Sequence, residues 1–236
     1  SLKLLVDFYE QYLCRRIFIF TLKNGEVVKL FFKDASEIYH ISGIDHIYDG
    51  IPMDGSRFLK EIKSGKMELE TVEKVNAVAY TDYIDRIRSM FCIDTIIKNC
   101  EYLYYSDGKI PESNIKVTYL LLKGLDGKSL HLGIDTYRKG RPYFTRTLLV
   151  TEGNNAMKFV NKADEKLKVT KLEICDKDTN EVVETVKREE AVVVVRKLVD
   201  EITEKWIQTE FEENISNFMI QPEVVYKIDV FLKNKE

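Results

Sequence analysis

The spacing of apolar residues changes several times along the chain, and each change marks an element. Leu2, Leu4, Leu5, Phe8, Tyr9 and Tyr12 recur at helical intervals and predict an amphipathic helix over residues 2–14. Residues 16–22 are β-branched and aromatic, and residues 26–32 follow as a second strand. Asn24-Gly25 between them predicts a β-hairpin. Asp34 and Glu37 have the spacing of a capping box, and Gly43 suits the left-handed residue after a helix end. A short helix is therefore expected near 35–42. Gly50, Pro52 and Gly55 make 49–56 a loop, and a helix over 57–63 follows, ended by Gly65. The longest periodic run extends from Leu69 to Phe91. It predicts one central buried helix over 70–91 with Tyr83, Ile87 and Phe91 on one face.

Beyond Asn99 the pattern shortens to period two or to continuous apolar runs. Residues 115–123, 129–134 and 143–150 read as strands, and 167–175 with 181–188 as a further pair. From Glu189 the spacing turns helical until Pro222, and 224–232 fits strand or helix equally. The order is an N-terminal helix and hairpin, a helical middle, a mostly antiparallel sheet and a C-terminal helix, which is an α+β class. Residues 1–175 are expected to form the main domain, with 176–236 as a hairpin strand and helical extension.

Composition narrows the function classes. Of 236 residues, 44% are apolar and 32% charged, as in ordinary globular proteins. The net charge of −3 excludes a broad attraction for nucleic acid over the whole surface, but not a local basic groove. Cys14, Cys92, Cys100 and Cys175 are scattered without CxxC spacing, which gives no zinc motif and fits a reducing, cytoplasmic setting. No apolar run approaches the ~18 residues of a membrane span. Ser1 is expected to be a cloning remnant, and no leader pattern precedes Leu2.

Two stretches carry candidate chemistry. His40 and His46 flank Gly43 at the strand–helix corner, and histidine is the side chain whose ordinary pKa lies nearest neutrality. They read either as proton-transfer groups or as a buried structural His40 beside an exposed His46. The second stretch, 123–147, holds Lys123, Lys128, Arg138, Lys139, Arg141 and Arg146 against Asp126 and Asp135, a local charge of +4. Tyr137 and Tyr143 are interleaved, so cations for phosphates come with aromatics for unpaired bases. Thr145 and Thr147 alternate with Arg146 and are expected on the opposite strand face. The alternative is a solvated sheet edge guarded by cations. Asp176–Glu181 lacks the glycine and terminal glutamate of an EF-hand and reads as a turn. There is no P-loop, dinucleotide glycine pattern, GxSxG or HExxH. No metal or cofactor is expected.

The corner also carries a resemblance. Phe31-Phe32, then Tyr39-His40-Ile41-Ser42-Gly43-Ile44-Asp45-His46, with Tyr83-Ile84-Asp85-Arg86 and Pro142-Tyr143-Phe144-Thr145, resembles a phage family of predicted barnase–EndoU–colicin–RelE-like nucleases over about residues 2–175. The resemblance implies metal-independent cleavage, of RNA more than DNA. Such cleavage needs a base, an acid and cations on the phosphorane. His40, Arg86 and one of Arg138, Arg141 or Arg146 would supply these, and Thr145 would bond a phosphate oxygen. Lys123, Arg138, Lys139, Arg141, Arg146, Tyr143 and His46 are the expected nucleic-acid contacts. The rival expectation is a non-enzymatic domain that grips nucleic acid or a host or phage protein.

Overall fold

The computed structural model describes residues 1–106, 116–125, 127–138 and 140–187. Alternation sets the first hairpin. Phe18, Phe20 and Leu22 of β1 (Arg16–Leu22) and Val28 and Leu30 of β2 (Val27–Phe31) are all buried, because alternate side chains share a face. The strands pair antiparallel, with Thr21 opposite Val27 and Phe20 opposite Val28. The Gly25 N–H bonds to the Leu22 carbonyl and Gly25 sits at φ 87°, so the connection is a turn followed by one left-handed glycine.

The other strands are β3 (Tyr102–Tyr105), β4 (Tyr119–Leu125), β5 (Lys128–Asp135), β6 (Tyr143–Glu152), β7 (Glu165–Asp176) and β8 (Val182–Lys187). Their order is β1-β2-β6-β5-β4-β3-β7-β8, and β7 also pairs with β1, so seven strands close into a barrel and β8 lies outside on β7. Every pairing is antiparallel except β2–β6, which joins Leu30 to Tyr143 and Phe31 to Phe144. The class is α+β, as expected. Because β8 pairs with β7, residues 1–187 form one compact unit. The helix expected from Glu189 and the ambiguous stretch 224–232 lie outside the described residues.

Helices cover one side of the barrel. They are α1 (Leu2–Gln11), α2 (Ile38–Ile41), α3 (Ile44–Ile47), α4 (Gly55–Lys63), α5 (Leu69–Val75), α6 (Ala77–Ser89) and α7 (Ile93–Asn99). Buried side chains from α1, α2, α3, α4 and α7 join those of the strands in one core. The single helix expected over 70–91 is instead two. Asn76 leaves helical geometry at φ −157°, and its side chain accepts the Ala79 N–H, so it caps α6. Nor is this helix central and buried. Ile87 is buried, Tyr83 is half-buried and Phe91 is exposed, since α6 packs by one narrow edge on β6 and α3.

One irregularity positions the site. The β5–β6 register shifts between Gly133, opposite Thr147, and Ile134, opposite Thr145, which leaves Arg146 as the extra residue of a β-bulge. A Cβ on Gly133 would lie 2.7 Å from Val117 and 2.9 Å from Thr147, so glycine permits this close approach.

Candidate active site

The corner between β2 and α3 is built by local bonds. Asp34 accepts the Ser36 N–H and starts the first helical turn, while Glu37 reaches back to the Lys33 N–H. The capping box is thus made with neighbours one residue off the expected pair. Gly43 turns left-handed at φ 78° and sends the chain straight into α3. A Cβ there would lie 2.4 Å from the Tyr83 ring and 3.0 Å from Arg86 Nη1, so both the turn and the approach of α6 demand glycine.

This turn folds Asp45 back onto His40. Asp45 Oδ2 lies 2.9 Å from His40 Nδ1, and Asp45 Oδ1 lies 3.9 Å from His46 Nε2. One carboxylate therefore stands between two imidazoles. His40 is solvent-exposed, with its other nitrogen unencumbered, so the buried structural reading of His40 does not hold. The His46 ring stacks on Tyr83 at 5.1 Å and 18°.

Arg86 anchors the opposite wall. Its Nη2 donates to the Ile41 carbonyl and to Thr147 Oγ1, each at 3.0 Å, while Nε is buried without a partner. Burial pulls its pKa below the usual guanidinium value, and no carboxylate reaches ion-pair distance among the described residues. Thr145 is also buried, and its hydroxyl has no partner. Because of the bulge, Thr145, Arg146 and Thr147 all line one cavity of about 630 Å³, instead of alternating between faces as expected. Its lining brings together His40, Asp45, His46, Arg86, Lys116 and Tyr137 with these three. Glu37 lines it too. Its carboxylate accepts from the Tyr9 hydroxyl and the Lys33 N–H, and burial pushes its pKa up to about 7.

A histidine corner and a buried arginine facing a bulged strand are the parts of the sequence resemblance, now adjacent in space. The sequence model of the phage-Barnase-EndoU-ColicinE5/D-RelE like nuclease 4 family matches residues 2–213. The chain belongs to this family. No curated protein and no solved structure matches it. The match runs past residue 175, where the resemblance in the sequence had ended.

Within this phage-type nuclease-like domain, the expected site residues fall into two groups. His40, His46, Arg86, Thr145 and Arg146 share the cavity. Tyr143 and Arg141 open instead onto a second cavity with Glu26, Lys29, Tyr119 and Glu165, where the Tyr143 ring packs 5.4 Å from Tyr119. Arg138 is exposed and lines neither, and Lys123 lies along β4 away from both. Lys139 lies outside the described residues. Lys128, counted in the basic stretch, is ion-paired with Asp85 and Glu152 at 2.6 and 3.1 Å. The described basic stretch is therefore divided among two cavities, an ion-pair network and positions in neither.

Sequence reasoning missed Asp45, Tyr83, Thr147 and Lys116. Asp45 stood between the two histidines, but only the Gly43 turn reveals the contact. Among the described residues, no group of three or more His, Cys, Asp or Glu side chains could hold a metal ion. No described helix is long and apolar enough to cross a membrane.

Proposed function

We propose that the cavity cleaves RNA by internal transesterification without a metal ion, as the nuclease domain of a phage or other mobile element acting in the cytoplasm. One observation carries this reading. A buried guanidinium with no carboxylate partner faces a cavity that also holds two histidines and Arg146. Burying an unpaired charge is costly, and a phosphate would compensate it.

The roles follow from the geometry. Asp45 accepts the Nδ1–H of His40 and so leaves Nε2 free to take a proton from a ribose 2′-OH. The 2′-oxygen then attacks phosphorus and the bond to the 5′-oxygen breaks. His46, across the same carboxylate, gives that oxygen its proton, and the products are a 2′,3′-cyclic phosphate and a 5′-hydroxyl. Arg86 and Arg146 hold the phosphorane charge, and the Thr145 hydroxyl turns to bond a phosphate oxygen. This chemistry requires the 2′-OH and therefore selects RNA over DNA.

The test is an assay of the full chain on single-stranded and structured RNA in the presence of EDTA. Cleavage to cyclic-phosphate ends is expected, and His40→Ala should lower the rate by ~10²–10⁴. Cleavage that ignores His40→Ala would refute the assignment, and loss of activity in EDTA would refute metal independence. Binding without any cleavage would favour the non-enzymatic reading.

A further inference from the structure

Tyr137 is the most exposed large apolar side chain in the described structure, at 89%. Nothing in the proposed chemistry uses it. Its ring is nonetheless fixed. It stacks on Phe144 with centroids 4.5 Å apart and planes 21° from parallel, and Phe144 is itself buried in β6 next to Thr145. The loop beneath is closed by the Thr136 hydroxyl, which lies 3.0 Å from the Arg138 carbonyl, and by the Arg141 N–H bond to that carbonyl. One face of the tyrosine is thus covered and the other is open to solvent at the rim of the cavity.

We propose that Tyr137 is a stacking platform for one unpaired nucleobase, next to the phosphate held by Arg86 and Arg146. This rests on the reading of the cavity as a phosphodiester site. A flat aromatic face beside cations is the general means of holding single-stranded nucleic acid, because every base has a π-face. A base inside a duplex already has both faces stacked and cannot use such a platform. The cavity therefore takes RNA at unpaired positions. Tyr143 does not compete for this role, since its ring is packed against Tyr119 on another side of the strand.

Affinity measurements in a His40→Ala background, which prevents turnover, test the platform with the full chain. The probes are a short single-stranded RNA, the same RNA annealed to its complement, and an abasic ribose-phosphate oligomer. Tyr137→Ala should weaken the single strand by roughly 5- to 150-fold. Tyr137→Phe and Tyr137→Trp should stay within about twofold of the parent, and Tyr137→Ala should leave the duplex and abasic probes unchanged. Equal binding of the single strand by Tyr137→Ala and its parent would overturn the platform alone. So would an equal loss on duplex and single strand, which would mark a distorted loop. If the parent binds none of the three probes, the phosphodiester reading falls as well.

Discussion

The corner at His40 and the site of His131 place the same side chain in opposite circumstances, one strand apart. Leu149 is the cross-strand partner of His131, yet it also lines the cavity that His40 enters. His40 is exposed, bonded to a carboxylate and close to Arg86 and Arg146, which have no carboxylate partner among the described residues. His131 is fully buried, with Nε2 3.0 Å from Thr151 Oγ1 and Phe159 set edge-on at 5.4 Å. Burial pulls its pKa down to about 4, so it is neutral at physiological pH. The contrast shows what separates an accessible, carboxylate-paired histidine from a packing one. The partner that orients it and its access to solvent decide, not the element that carries it.

After the loss expected of His40→Ala, the largest effect comes from emptying the corner of its buried charge. Arg86→Ala should lower cleavage by about 10²–10³, the cost of removing one preorganised donor to a developing charge. Arg141→Ala, in the second cavity, should change the rate less than about twofold. Comparable losses from both would mean that the two cavities act as one continuous site. Single-turnover rates with saturating RNA separate these outcomes.

The next test concerns His131 and pH. Its folded pKa lies below the ordinary value of 6.5, so the unfolded chain binds the proton more readily. Stability is thus fully present above about pH 6.5 and is lost as pH falls toward 4. At ~1.4 kcal/mol per pH unit, His131 should cost about 3 kcal/mol across that window. Urea denaturation at pH 7.5 and pH 4 should show the wild type losing that much more than His131→Gln. An equal acid sensitivity of the two chains would mean that His131 is hydrated and not sealed.

The smallest effect tests the scaffold of the corner. Gly43→Ala places a side chain at φ 78° and against Tyr83, and the backbone strain alone should cost roughly 1–2 kcal/mol. A drop in Tm together with a modest loss of cleavage is expected. Unchanged activity would show that Arg86 holds its place without the Gly43 contact.

These contrasts explain what could be read in the sequence. The first hairpin was legible because burial alternates along β1 and β2 and a glycine closes the turn. The break at Asn76 was not, since the apolar period continues across it while its cap bond is made only in space. β3 escaped because Tyr102–Tyr105 is too short to establish a period. That His40 and Arg86 come together in one cavity was legible from their motif surroundings. The bulge at Arg146 left no mark in its own strand; its signal lay across the ladder at Gly133. The division of the basic stretch depended on loop geometry between Asp135 and Tyr143, which charge counting does not see.

The β2–β6 seam has a kinetic consequence. It is the barrel's shortest ladder and its only parallel one, joining residues far apart along the chain at Leu30–Tyr143 and Phe31–Phe144. Such a closure carries a large loop entropy and has the fewest bonds to offset it, so it is expected late in folding and early in opening. The helical corner leaves β2 directly, while Thr145 and Arg146 follow Phe144 on β6. The two halves of the cavity are therefore carried by the two sides of the last joint to form. A nascent or partly opened chain holds all the residues of the cavity without assembling them, so the proposed chemistry would have to wait until the barrel is complete.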